Sequence, residues 1–272
     1  MKKLNFGCGD RIASGWENID FNPMVPGVKQ VNLLKGFPYP DATFDVVYSS
    51  HVLEHFSRAD GRRLMAESFR VLRPGGLVRV VLPDLEASCR EYVRLLDETE
   101  HSEEARRRYE WIILELLDQM VRTRGAGEMR DFFEALEQSG DREMAAYVIS
   151  RTQNTPLQVM RPRAWRDKVA SLSPGKLKSL LVRLYARGLL RLIPGGMRRM
   201  MVDETPPGEK HRWMYDRYSL VTLLQQTGFS ECRLLAAHES AIPDFGHDHL
   251  DVNPDGLPYK NVSLYCEAIK PA

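Results

Sequence analysis

The sequence predicts an α/β fold: a mostly parallel β-sheet with an antiparallel closing strand pair and a helical insertion. Three observations predict it. Short apolar strand patterns alternate with helices or turns from residue 3 to residue 85. From about residue 90 to 150 the apolar positions keep helical spacing only. Two further strand patterns, joined by a long loop, then end the chain.

The elements follow in order. KLNF is a short strand that runs straight into Gly7-Cys8-Gly9, where glycine permits a tight turn. WENIDFN is a second strand, ending near Asp20, and VKQVNLL a third. Only ten residues separate Gly9 from Asp20, too few for a full crossover helix, so the first helix is expected to be clipped to a turn. FPYPDATFDVVYSS opens with prolines and becomes an apolar strand over 44–48. RADGRRLMAESFRVLRPGG is a helix with Leu64, Met65, Phe69 and Leu72 at helical spacing, ended by Pro74-Gly75-Gly76. LVRVVLPD is the next strand.

After about residue 87, Tyr109, Ile112, Ile113, Leu116, Leu117 and Met120 form one helical face. RGAGEM breaks it; Met129, Phe132, Phe133 and Leu136 start another helix, and Met144, Tyr147 and Val148 a third. DRYSLVTLLQQTGF is a helix closed by Gly228, followed by the strand SECRLLAAHE, a long loop and the strand NVSLYCEAIK. The expected division is a core over 1–89, a helical cap over 90–200 and completion of the core over 201–272.

Composition narrows the function classes. The chain has 272 residues, 43% apolar, and a net charge of +1, so bulk charge selects no partner. Four cysteines without a C-x-x-C pair suggest neither a zinc ribbon nor a disulfide framework, which fits a reducing cytoplasm. The N-terminus lacks a signal-peptide pattern, and no uncharged apolar run is long enough to span a membrane.

Charge is nonetheless uneven. Residues 161–200 hold eleven Lys or Arg against the single acid Asp167, leaving a net −9 elsewhere. Arg183, Arg187 and Arg191 lie four apart, opposite Leu177, Leu180, Leu181 and Leu184, as on a basic amphipathic helix. Three readings stand: leucines packed inside the fold, contact with an anionic membrane surface or lipid-linked substrate, or contact with another anionic partner or subunit. No nucleic-acid recognition motif accompanies the charge, so no nucleic acid is expected. An oligomer is left open.

Five segments together resemble class I S-adenosylmethionine-dependent methyltransferases: LNFGCGD, NIDF, FPYPDATFDVVYSSHVLEHF, RVLRPGGLVRVVLPD and LLQQTGF…VSLYCEAIK. Their nearest subgroup is the methyltransferase-11-like proteins of surface-polysaccharide and specialised biosynthesis. The resemblance implies a Rossmann-like sheet and S-adenosylmethionine as cofactor. It implies that Phe6, Gly7, Cys8 and Gly9 cradle the methionine portion, that Asp20 accepts from the ribose hydroxyls, and that Asn32 and Leu33 contact adenine. Ser49, Ser50 and His51 then lie beside the transferred methyl. The chain departs from the family's fuller motif in lacking the acid before the turn and a third glycine. Asn32 stands where an acid is common, so adenine N6 is expected on its amide oxygen or on backbone.

HVLEH, residues 51–55, matches the H-x-x-E-H zinc-peptidase spacing. That motif needs a long helix and a distant acidic ligand, whereas this segment follows a strand directly, so no metal is expected. His51 is instead the first candidate for a general base, with His211 and Asp84 next, while His55 reads as structural. Asp84 equally suits a helix N-cap. The family's planar-amine signature is replaced by LPDL, which favours an oxygen acceptor. The subgroup resemblance then implies O-methylation of a sugar hydroxyl on a glycan or glycosylated intermediate. The alternatives are N-methylation of a small-molecule or sugar amine, and a non-catalytic S-adenosylmethionine-binding subunit. A dehydrogenase on the same sheet is disfavoured by the single G-x-G.

Overall fold

The computed structural model describes residues 1–152 and 208–272, together with positions 185, 188–189, 192–194, 197, 203 and 205–206. Apart from those positions, the basic segment 161–200 lies outside the described residues.

Seven strands form one sheet: β1 (Lys3–Phe6), β2 (Trp16–Asp20), β3 (Lys29–Gln30), β4 (Phe44–Ser50), β5 (Leu72–Pro83), β6 (Ser230–Leu235) and β7 (Ser263–Ile269). Their spatial order is β3-β2-β1-β4-β5-β7-β6. The first five are parallel, and β7 runs antiparallel between β5 and β6. The chain is therefore a Rossmann-like α/β fold. Its order reverses between β1 and β4, and ligands of open parallel sheets bind at such a reversal, outside the carboxyl ends of the strands.

No helix joins β1 to β2, as the short spacing requires. The connection instead turns at Gly7 and Gly9, both at positive φ (66° and 57°). The other face of the sheet is covered by conventional helices. α1 (Arg58–Val71) starts at Ser57, whose hydroxyl accepts from the Asp60 amide, a cap worth about 1 kcal/mol. It buries Leu64, Met65 and Val71 against the sheet. α1 stops at Val71, three residues short of Pro74, because β5 begins at Leu72 and carries Pro74-Gly75-Gly76 through an irregularity in its pairing with β4.

Four helices follow β5: α2 (Leu85–Glu98), α3 (Glu103–Val121), α4 (Gly127–Ser139) and α5 (Arg142–Thr152). They hold two small cores of their own, one around Trp111, Phe133 and Met144, the other around Leu95, Ala105 and Ile112. Glu115 of α3 accepts from Trp111 Nε1 and takes both Nε and a terminal nitrogen of Arg151 on α5. α6 (Arg217–Thr227) opens on an Asp216–Ser219 capping box and closes on Gly228 at φ 109°.

The helix missing after β1 leaves one sheet face to the β6–β7 loop. Ile242, Phe245, Leu250 and Val252 of that loop pack on Trp16, Val46, Tyr48, Val81 and Tyr265. The short helix α7 (Phe245–Asp248) lies within it. Arg79 of β5 is wholly buried there, bonded to Asp251 at 2.7 Å, to Glu267 at 2.8 Å and to the carbonyls of Ala237 and Glu239. Among the described residues no helix is long and apolar enough to cross a membrane.

Candidate functional site

Three cavities meet at the segment that follows β4. The first, about 250 Å³, is lined by Gly7, Cys8, Gly9, Arg11, His51 and Lys260, with Tyr48 and Ser50. The second, about 450 Å³, is lined by Phe21, Asn32, Leu33, Leu34, Phe56 and Lys210 among others. The third, about 590 Å³, lies between the core and α3–α5 and takes in Glu54, Trp111, Glu115, Arg122, Phe133 and His211. His51 belongs to the first and third, and His55 to the second and third. The segment 51–55 is thus the partition between them.

Its backbone is unusual. HVLEH forms only a 3₁₀ turn over Leu53–His55, not the long helix of a zinc peptidase. His51 sits in the left-handed region at φ 53°, a conformation that costs a non-glycine residue of order 1 kcal/mol and is held by surrounding structure. The His51 amide donates to the Val81 carbonyl at 2.8 Å. Its ring bridges the site, with Nε2 3.0 Å from Ser263 Oγ and Nδ1 3.2 Å from a Glu54 carboxylate oxygen. Burial pushes the His51 imidazole down to about 4, with Lys260 acting in the same sense, so the ring is neutral at neutral pH. His211, also buried, is likewise pushed down to about 4 by desolvation.

The glycine turn is shaped for close approach. A Cβ on Gly7 would meet Val52 Cγ2 at 2.4 Å, while one on Gly9 would stand in open space. Asp20 ties this turn to the second strand, its carboxylate accepting from the Gly9 amide at 2.9 Å and the Asn22 amide at 2.7 Å. Through Gly9 it is bonded to the lining of the first cavity, and the next residue, Phe21, lines the second. Cys8 is a thiol rather than a thiolate, since burial and then Asp20 push it up to about 12.

Several expected residues are placed differently. The Phe6 side chain is fully buried against Phe37 and offers a ligand only its backbone. Ser49 is buried, and its hydroxyl has no partner and faces none of the three cavities. Asn32 is exposed and lines the second cavity, where its amide oxygen also caps a 3₁₀ turn by accepting from the Leu34 amide at 3.1 Å. Asp84 is the α2 N-cap, accepting from the Ala87 amide at 3.1 Å, and does not line the cavity that holds His51 and His211.

Sequence reading missed Arg11, Lys260 and the polar lining of the third cavity. Arg11 stacks on Tyr259, its guanidinium 3.5 Å from the ring centre, and Lys260 follows directly. Arg11 was findable as the cation two residues past the turn. Lys260 was not, because only the fold of the β6–β7 loop brings it back to β1.

Residues 11–80 match the family model described as a methyltransferase domain. That span includes Asp20, Asn32, Leu33 and the 49–55 partition. Over 48 residues the chain is 42% identical to the "Probable methyltransferase ltbC" of Aspergillus luteorubrus. That match spans 17% of each chain. Among solved structures, a SAM-dependent methyltransferase from Thermotoga maritima, described as a possible histamine N-methyltransferase, aligns over 99% of this chain and 82% of its own at 12% identity, TM-score 0.37. The YcgJ protein of Bacillus subtilis aligns over 100% and 92% at 11% identity, also at TM-score 0.37. The fold rests on the strand order itself.

The match over residues 11–80 is to a methyltransferase domain, whose implied cofactor is S-adenosylmethionine. The residues present fit that molecule. The glycine turn leaves a cradle over Gly9, and the Arg11 and Lys260 cations line the cavity an amino-acid carboxylate would enter. Each Asp20 carboxylate oxygen accepts one backbone amide and keeps a lone pair for ribose donors.

Proposed function

We propose that this chain is an S-adenosylmethionine-dependent methyltransferase acting on a hydroxyl of a polar acceptor, a sugar on a glycan or glycosylated intermediate. The observation that carries the reading is the partition at 51–55, which joins two cavities suited to the two halves of the cofactor to a third between core and cap. The domain match over 11–80 supports it.

The cofactor, when bound, supplies a methyl on a sulfonium that is already activated for in-line displacement. The chain mainly aligns the partners. Gly7–Gly9 and Asp20 hold the donor, with Arg11 and Lys260 at its carboxylate. The third cavity takes the acceptor. Its lining of Glu115, Gln119, Arg122, Arg130 and Arg151 around Trp111 and Phe133 suits a hydroxyl-rich molecule better than an apolar one. His51, neutral and reaching both cavities, accepts the hydroxyl proton, a role worth about 10²–10⁴ in rate. The helices α3–α5 exclude water from the acceptor side.

Calorimetric titration of S-adenosylmethionine and S-adenosylhomocysteine into the protein tests the reading, with Asp20→Ala as control. Binding by the parent that is lost in the variant supports it and justifies screening glycan acceptors. No binding by the folded parent removes it.

A further inference from the structure

We propose that Glu54, His55 and His211 form a site for one divalent transition-metal ion, opening onto the 590 Å³ cavity. Each offers one ligand atom, and these atoms lie within 4.8 Å of one another. The 51–55 segment, without the long helix and the distant acidic ligand of the H-x-x-E-H motif, argued against a metal. What changes the conclusion is His211, brought in from 156 residues beyond His55.

The three side chains are arranged as ligands and not as a satisfied polar cluster. Glu54 is 1% exposed, yet neither carboxylate oxygen has a hydrogen-bond partner. His51 Nδ1 approaches to 3.2 Å without the alignment of a hydrogen bond. Among the described residues no Lys or Arg lies within ion-pair distance of Glu54. A buried carboxylate normally has one or the other. His211 is 7% exposed, and its Nδ1 is equally unpartnered. His55 Nδ1 donates to the Lys210 carbonyl at 2.9 Å, which leaves the Nε2 lone pair facing Glu54 at 3.9 Å. Metal-binding histidines are oriented by this kind of backbone bond on the far ring nitrogen.

The backbone holds the three in place. The Glu54 carbonyl accepts from the amides of Arg212 and Trp213, and the His211 amide donates to the Gln119 carbonyl of α3. Bonds of about 2.0–2.2 Å need the ligand atoms somewhat closer than they stand, a movement within reach of side-chain rotation. Two imidazole nitrogens and one carboxylate oxygen select zinc, iron, cobalt or manganese over calcium or magnesium. Three protein ligands leave positions open toward the cavity, as in catalytic rather than structural sites. Assigning those positions to an acceptor oxygen rests on the methyltransferase reading; ion binding itself does not.

The test uses tag-free, chelator-stripped full chain with Co²⁺ and Zn²⁺ as probes. Equilibrium dialysis and the visible Co²⁺ spectrum read the ion, while S-adenosylhomocysteine binding is measured separately on the same preparations. The expected result is one ion per chain, with affinity lowered roughly 100-fold in both His211→Ala and His55→Ala. Circular dichroism that matches the parent keeps each variant informative. An ion bound without S-adenosylhomocysteine binding leaves this site standing and removes the proposed cofactor. A folded parent that takes up no stoichiometric ion, or a folded His211→Ala that binds Co²⁺ like the parent, overturns the proposal.

Discussion

The Asp20 carboxylate, at the end of β2, accepts a hydrogen bond from the Gly9 backbone amide at 2.9 Å. One side chain therefore ties the turn after β1 to the end of β2, beside a residue that lines each of two cavities, Gly9 and Phe21. Asp20→Ala should cost about 1–2 kcal/mol of stability through the two amides it releases. It should weaken S-adenosylhomocysteine by at least about tenfold, the effect of one lost charge-assisted hydrogen bond. Denaturant midpoints and calorimetry on the same variant separate the two effects.

Gly7 and Gly9 should differ on substitution. Both need positive φ, so alanine strains each by about 1 kcal/mol. At Gly7 the new methyl also meets Val52 Cγ2 at 2.4 Å, whereas at Gly9 it meets nothing within 4 Å. Gly7→Ala should be the more destabilising, and adding Val52→Ala should recover part of the loss. Equal melting temperatures for the two single variants would contradict this account.

His51→Asn should keep the fold, because asparagine accepts the left-handed conformation at φ 53° better than most residues. Its turnover should fall about 10²–10⁴-fold once an acceptor is in hand, with S-adenosylhomocysteine affinity changed little. A variant as fast as the parent would remove His51 as the base.

Arg79 anchors the β6–β7 loop to the sheet through Asp251 and the Ala237 and Glu239 carbonyls, and pairs with Glu267 of the neighbouring strand β7. Arg79→Ala leaves Asp251 and Glu267 buried without their cation, a loss of about 3–5 kcal/mol. Amide exchange in residues 237–252 should rise more than in α1, since that loop loses its attachment. Uniform exchange across both would show global unfolding instead.

Glu67 should contribute to acid sensitivity. Its carboxylate accepts from Arg70 and from the Phe37 amide at 2.8 Å, pinning the segment before β4 onto α1. Arg70 first, then the Phe37 amide, hold its carboxyl below the usual range against the opposing effect of partial burial. A lowered native value means the unfolded chain binds more protons. The contribution is therefore complete above the ordinary glutamate range near pH 4–5 and is lost as pH falls through the native value. The stability gap between parent and Glu67→Gln should narrow from pH 6 toward pH 3. A gap that stays constant would show that the carboxylate's charge is not involved.

The sequence by itself determined the sheet, its clipped first crossover and the glycine turn. These are local properties: period-2 alternation, a ten-residue gap and glycine's access to positive φ are all readable within short windows. It also placed His51 and Asp20, because strand ends are legible and ligands gather there. Only the tertiary structure decided the rest. Asp84 fits a base or a cap equally well until the Ala87 amide is seen beneath it. Arg79 in the strand pattern VRVV looks like an outward charge, and only the β6–β7 loop folding over it makes it a buried anchor. Glu54, His55 and His211 meet because backbone bonds draw residues 211–213 onto the turn after β4, and Lys260 reaches the glycine turn by an equally long return. Contacts at such separations depend on how the whole chain packs, and no local pattern encodes them.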